Sequence, residues 1–395
     1  MEHIFEYYTL RLTTKSPVFV GSGQSISKKE FCFVPQKDVI RFMDMEKLIE
    51  YFSQSDRELE LFEKFMLNDP SLKKAGELGT KYGEECFSKK WLNKFLDLID
   101  MSEIKRTDYV LYEIDNDSMF QDDKTPCKIQ RFMRGADGRA YIPGSSVKGM
   151  LRTALLQQII RQNPDKLPFE SDMKHEGKNI ENQMINTLTL KRDRNGIPNN
   201  KDAVNSIMKG ISISDSEPIS NDSFTVCKKI DLKKDGSFNT INLVRECIKP
   251  YTEVVFHLKV DKRYFKPVGI QSDFEPLFRE IIRAFDEDYR NFYLTKFRNL
   301  DFNEKQLKND FLVLGGGSGY FGKNVIYTRF GFEKGLKKVS DYMKTKTQFI
   351  NGKKVFTNSD DYGLRISPHI LKITQYQGEM YHMGICDVDL ERETI

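Results

Sequence analysis

The residues best suited to chemistry lie between Tyr141 and Leu156, in the run Tyr-Ile-Pro-Gly-Ser-Ser-Val-Lys-Gly-Met-Leu-Arg-Thr-Ala-Leu-Leu. Pro143 biases Ile142 towards extended backbone, and Gly144 permits a tight or left-handed turn. Ser145 or Ser146 then caps a helix whose apolar face is Val147, Met150, Leu151, Ala154 and Leu155. Lys148 and Arg152, four positions apart, project together from its first turns. Backbone N–H groups, two hydroxyls and two cations at a helix start make an anion site, and phosphate is its natural guest. The plainer alternative is a capped amphipathic helix with solvated bases, which a lone Gly-Ser-Ser would favour. The flanks tilt the balance, because Arg131 to Arg152 carries five basic residues (Arg131, Arg134 and Arg139 among them) against Asp137 alone, a balance of +4. Cations in the first turns of a helix oppose its dipole, so an anionic partner is expected.

A second glycine-rich run, Gly315 to Lys323, follows the short apolar stretch Phe311–Leu314. Gly317, Gly319 and Gly322 have the spacing of a dinucleotide fingerprint, but Asn324 to Thr328 reads as extended where that motif needs a helix. The same run is one residue short of a Walker A loop, and Asn324 stands where a magnesium-binding hydroxyl belongs. The remaining uses are a bare turn, or a loop whose N–H groups follow a nucleic-acid backbone while Tyr320 or Phe321 stacks on a base. Ser145-x-x-Lys148 matches an acylation motif without its Lys-Thr-Gly partner, which excludes a serine hydrolase of that type. His3, His175, His257, His369 and His382 show no metal-ligand spacing, and His3 has no evident catalytic partner. The acids of 108–123 are expected to be solvated rather than to hold magnesium.

Stepping outward, 395 residues with 39% hydrophobic and 30% charged content bound a soluble globular chain of one large or two ordinary domains. No apolar run has membrane-span length, and Met-Glu-His-Ile-Phe-Glu lacks the regions of a signal peptide, so the expected compartment is the cytoplasm. The six scattered cysteines suit reduced, buried packing better than disulfides or zinc. The net charge of +4 does not announce nucleic acid, but its distribution is uneven. Lys323 to Lys354 holds nine bases against Glu333 and Asp341, a balance of +7.

The elements that must position these groups follow from periodicity. Tyr7–Thr13, Phe31–Val34, Val39–Phe42, Tyr109–Ile114, Ile211–Asp215, Phe224–Asp231, Phe238–Ile248 and Thr252–Val260 read as strands. Gly21-Ser22-Gly23 reads as a small-residue loop, and Asp44 caps a helix reaching Phe52. Residues 44–105 form a helical insertion, while 163–210 form a polar insertion expected to be mobile. Phe274–Arg298 is a strong amphipathic helix. Without the insertions the order is β-α-β-β-α-β with Phe311–Leu314 as last strand, an α+β, ferredoxin-like core resembling RNA-recognition motifs. The core is expected over 1–330, with 331–395 as a C-terminal extension or small half-domain.

The stretch Gly138–Leu155 closely resembles the Y-I-P-G-S-S-x-K-G-x-x-R motif of the RAMP proteins of CRISPR effector complexes. Ile211–Pro218 resembles an I-x-x-S-D-S-x-P strand, Arg245–Pro250 an R-E-x-x-x-P turn, and Phe311–Lys323 a late glycine loop. Those patterns are similar to the group of type III-A (Csm) subunits that cap the complex at the 3′ end of the CRISPR RNA, and they span most of the chain. The resemblance implies a non-catalytic, cofactor-free subunit that binds CRISPR RNA, abuts other Csm-complex subunits (the backbone RAMP subunit and the small subunit), and assists 3′ trimming by cellular nucleases. The backbone relatives cut RNA with an aspartate in the loop after their first strand; Gly21–Lys28 has none, so no slicing is expected. The resemblance gives phosphate binding to Gly144, Ser145, Ser146, Lys148 and Arg152. It extends RNA contact to Gly21, Ser22, Gly23, Gly317, Gly319, Tyr320 and Lys323, and Arg131 and Arg134 flank the motif. The rival expectations are a CRISPR-RNA processing endoribonuclease of the same broad fold and a nucleotide-binding enzyme using residues 315–323.

Overall fold

In the first strand, alternation does the sorting: Tyr8, Leu10 and Leu12 turn to one buried face, while Tyr7, Thr9, Arg11 and Thr13 stay half-exposed on the other. The computed structural model describes residues 4–74, 80–117, 119–120, 128–269, 273–297, 304–346, 348–350, 353–355 and 361–394. Its strands are β1 (Phe5–Thr14), β2 (Gly21–Ser27), β3 (Phe31–Val34), β4 (Val39–Met43), β5 (Val110–Asp115), β6 (Lys128–Phe132), β7 (Ile211–Ile213), β8 (Phe224–Lys233), β9 (Phe238–Ile248), β10 (Glu253–Asp261), β11 (Leu312–Val313), β12 (Gln348–Ile350), β13 (Lys353–Val355), β14 (Ile370–Tyr376), β15 (Glu379–His382) and β16 (Ile385–Arg392). Its helices are α1 (Met45–Phe52), α2 (Asp56–Leu67), α3 (Thr80–Lys89), α4 (Leu92–Leu98), α5 (Glu103–Arg106), α6 (Gly144–Gln162), α7 (Met173–Met184), α8 (Phe274–Phe292) and α9 (Ile326–Lys344). The architecture is mixed α+β.

One sheet has the order β11-β16-β1-β10-β7, with every neighbouring pair antiparallel. The buried side chains of α6 and α8 join Tyr8, Leu10 and Leu12 in one core. A second sheet runs β2-β6-β9-β8-β5-β4-β3, with β14 pairing β8 and β15 pairing β14. Val18 and Ile248 exchange backbone hydrogen bonds of 3.1 and 2.9 Å, which ties the segment after β1 to β9. Helices α1 to α5 build a separate apolar cluster around Leu48, Phe52, Phe62, Phe65 and Phe95.

Four local expectations change. Gly21-Ser22-Gly23 opens a strand, β2, whose pairing with β6 is irregular between Gly21 and Ser25. The polar insertion contains a full helix, α7, capped by Asp172. A helix, α9, follows the second glycine run where extended chain was expected. The strand beside β1 is β16, and β11 pairs only with the outer edge of β16. Cys32, Cys86, Cys227, Cys247 and Cys386 are free and buried. Cys127, His3, Asp122 and Asp123 lie outside the described residues. Among the described residues no helix is long and apolar enough to cross a membrane, and no group of three or more His, Cys, Asp or Glu is placed to hold a metal.

Candidate nucleic-acid interface

The start of α6 is held by β7. The Gly144 N–H donates to Asp215 Oδ1 at 2.9 Å, and neither Ser145 nor Ser146 caps the helix with its own hydroxyl. Glycine is required at 144, since a Cβ there would lie 2.3 Å from the Ser214 carbonyl oxygen and 2.4 Å from that of Ile213. Ile142 N–H donates to Ser216 Oγ at 2.9 Å, which completes the clamp. The helix end therefore has an anion of its own, the Asp215 carboxylate, which offsets the dipole that Lys148 and Arg152 oppose.

The two cations in the N-terminal half of that helix part company. Lys148 Nζ donates to the Ile211 carbonyl at 2.7 Å, and burial pulls its pKa below the ordinary lysine value. One of its donors thereby fastens α6 to β7. Arg152 pairs with Glu181 of α7 at 2.7 Å but keeps 48% of its side chain exposed. It faces a groove of about 560 Å3.

That groove is where the sequence-distant small-residue segments meet. Gly21 and Gly23 from β2, Ser145, Ser146, Gly149 and Arg152 from α6, and Gly315, Gly316, Gly322 and Lys323 from the second glycine run all line it. Lys323 is exposed and makes no ion pair among the described residues. Among the described residues the charged side chains of the lining are Arg152 and Lys323, and Glu181, which engages Arg152, lies outside that lining. Glycines let backbone come close here: Gly316 N–H donates to Phe19 O at 2.8 Å, and a Cβ on Gly315 would sit 2.1 Å from that same oxygen. Gly317 is needed against Met383, whose carbonyl oxygen would be 1.9 Å from its Cβ. The glycines at 315 and 317 thus serve close packing that shapes the wall.

Other expected contacts lie elsewhere. Arg134 is buried, ion-paired with Glu246, bonded to Asn221 Oδ1 at 2.9 Å, and stacked 3.7 Å from the Tyr112 ring centre. Its side chain is engaged within the fold and does not line the groove. Arg131 is half-buried 5.9 Å from the same ring, and its carbonyl accepts from Ser22 Oγ at 3.2 Å. Neither Arg131 nor Ser22 lines the groove. Phe321, expected to be free for stacking, is 4% exposed and packs among Tyr289, Tyr293 and Tyr327. Tyr320 stays half-buried, and Gly319 is exposed with a positive φ of 55°. The glycine fingerprint has its helix after all, but β11 joins its sheet antiparallel, so the βαβ setting of a dinucleotide site is not formed.

Sequence reasoning missed Gln24, Gln130 and Thr153, which supply polar lining. It also missed the role of Arg245. That side chain is 9% exposed, donates through Nε to Gln130 Oε1 at 3.1 Å, and lies 4.9 Å from the Phe19 ring centre. It has no carboxylate partner among the described residues, and its Nη1 would be 3.1 Å from a Cβ on Gly316. A positive charge therefore sits behind the groove floor, where low dielectric carries its field towards an anion. Its sequence signal is the R-E-x-x-x-P match that opens at Arg245.

Residues 11–322 match the family model described as the RAMP superfamily, and the chain belongs to that superfamily. Within it the chain is similar to proteins named CRISPR system Cms protein Csm5. It is 26% identical to the one from Mycobacterium tuberculosis (strain CDC 1551 / Oshkosh), covering 98% of each chain. It is 24% identical to the one from Streptococcus thermophilus, covering 88% of this chain and 87% of that one. A chain of a cryo-EM structure of a Csm-crRNA-target RNA ternary complex of a type III-A CRISPR-Cas system matches with TM-score 0.65 and 17% identity, over 97% of this chain and 100% of that one. The crystal structure of T. onnurineus Csm5 matches with TM-score 0.58 and 17% identity, over 95% and 99% of the two chains. At that identity the likeness is one of fold.

Proposed function

We propose that this chain is a non-catalytic, guide-binding subunit of a cytoplasmic type III-A (Csm) effector complex, seated at the 3′ end of the CRISPR RNA. The observation that carries the reading is the convergence of three small-residue segments, far apart in the sequence, on one groove whose charged lining among the described residues is Arg152 and Lys323. Serine hydroxyls and two cations hold phosphates without reading bases, which suits a subunit that must accept any guide. The RAMP membership and the near full-length similarity to Csm5 proteins supply the complex and its other subunits as partners. The strand order β16-β1-β10-β7 with α6 and α8 as crossovers is what supports a ferredoxin-like core. Recruitment of 3′-trimming nucleases belongs to the same proposal.

The test is to assemble the complex with and without this chain and sequence the 3′ ends of the bound guide. Wild-type chain is expected to give one dominant mature end. Omitting it, or supplying Arg152→Glu/Lys323→Glu, is expected to give longer and ragged ends. Identical end distributions in all three samples would falsify the reading.

A further inference from the structure

Beside the groove, and sharing Arg152, Thr153 and Lys323 with it, lies a second cleft of about 240 Å3. Lys174 and Lys178 of α7 form one side, and Tyr320 with Tyr342 of α9 forms the other. Lys174 and Lys178 are exposed, and like Lys323 they make no ion pair among the described residues. The acid in the lining is Glu181, which is engaged by Arg152. Four cations against one carboxylate leave the cleft strongly positive.

These lysines are held in place rather than merely solvated. On the opposite face of α7, the fully buried Glu176 meets Arg329 of α9 at 2.5 Å. Arg329 also donates to the Pro168 carbonyl at 2.5 Å, and Glu170 pairs with Lys334 at 2.8 Å. The helix cannot roll, so Lys174 and Lys178 stay one turn apart, facing the cleft, although like charges at that spacing repel. The tyrosines are equally constrained. Tyr320 is half-buried beside Tyr342, and Lys346 rests 4.5 Å from the Tyr342 ring centre. Phenol rings within a ring of uncompensated ammonium groups are the ingredients by which proteins hold unpaired nucleotides independently of sequence.

From this placement we infer that the second cleft is a nucleotide pocket. One unpaired nucleotide of the RNA leaves the groove and turns into it, with its base against Tyr320 and Tyr342 and the flanking phosphates on Lys174, Lys178 and Lys323. The inference rests on the groove carrying RNA and adds where that strand turns. The cleft has room for one nucleoside and not for a duplex, so it selects single-stranded RNA, and stacking leaves base identity open.

The test uses the full-length protein and single-stranded RNAs carrying 5-iodouridine at one position, walked inwards from the 3′ end. After irradiation, one or two adjacent positions are expected to crosslink to Tyr320 or Tyr342 and the remainder to groove residues. Lys174→Glu/Lys178→Glu, both exposed, is expected to leave the unfolding midpoint unchanged. It should weaken RNA binding about tenfold and lower the slope of log K against log salt by about 1.4, two phosphate contacts at about 0.7 each. Wild-type affinity in that variant, or crosslinks confined to the groove, overturns the pocket while leaving the groove assignment standing. A wild-type chain that retains no RNA even at low salt overturns both.

Discussion

The two large insertions make opposite use of charge. Residues 45–106 bring their own apolar core, with Phe65 stacked 4.9 Å from Phe95 and Phe52 edge-on to it at 5.5 Å. Their buried guanidinium, Arg106, is satisfied internally by Asp97 at 2.7 Å, Glu103 at 2.8 Å and the Met101 carbonyl at 2.9 Å. Residues 163–210 are poor in apolar side chains and lean on α9 through the Glu176–Arg329 pair. They leave Lys174 and Lys178 uncompensated beside a hollow. A segment that neutralises its own charges builds scaffold; one that leaves like charges facing a cavity builds a contact surface.

Removing the central cation from each insertion breaks the comparison hardest. Arg329→Met strands the fully buried Glu176 carboxylate, and loss of one member of a buried pair costs ~3–5 kcal/mol, whereas Arg106→Met leaves Asp97 and Glu103 accessible to water and should cost less. Glu176 and Arg329 approach without hydrogen-bond alignment, so their attraction is chiefly ionic. Urea unfolding should show both losses. RNA retention should fall only in Arg329→Met, and equal RNA binding in the two variants would erase the distinction.

The shared core sets the baseline against which either insertion is judged. His382 is buried, with Tyr289 Oη 2.8 Å from Nε2 and the Met383 carbonyl 2.9 Å from Nδ1, and burial lowers its pKa to about 4. An unfolded histidine binds its proton near ~6.5 while the folded one stays neutral, so stability drops as pH falls from about 6.5 towards about 4. The loss approaches ~3 kcal/mol at about 1.4 kcal/mol per unit. The stability advantage of wild type over His382→Gln should shrink between pH 7.5 and pH 4.5 in urea titrations, and a constant gap rules this titration out.

Smaller effects separate wall from contact within the groove. Gly315→Ala forces a side chain at φ 70° into the Phe19 carbonyl and should cost ~2–3 kcal/mol. Gly319→Ala, at φ 55° but in open space, should cost ~1 kcal/mol. Thermal melts of the two variants test this, and equal losses would mean that close packing is not what demands glycine at 315. Smallest is Lys148→Met, which loses one hydrogen bond of ~1 kcal/mol and leaves RNA affinity unchanged. A large affinity loss there would restore Lys148 as a ligand.

The strands were legible wherever one face alternates, as in β1 and β10, and α8 announced itself through an unbroken apolar stripe. The glycine segments were read as turns and loops; their close approaches, Gly144 to β7 and Gly315 to Phe19, were not. A spacing of four puts Lys148 and Arg152 on one helix face; it does not say that the Ile211 carbonyl, 63 positions away, lies against one of them. Nor could the sequence show that Asp215 would take the capping place from two serines. Helix α7 escaped notice because its apolar stripe is only Met173, Ile180 and Met184, with the buried Glu176 among them, and periodicity searches count apolar residues. Helix α9 escaped because Gly331, at φ 69° and ψ 178°, interrupts the helical backbone and shifts the phase of the pattern.

The bonds Gly144–Asp215 and Lys148–Ile211 fasten the chain on both sides of residues 163–210 to the same turn of α6. Those two ends alone do not define the segment between them, because Ile180, Met184, Ile185 and Leu188 are buried in the main core and Glu181 engages Arg152 in the groove wall. The excursion is therefore stitched into the molecule at its middle as well as at its hem, and a change of length or charge there is felt by the groove.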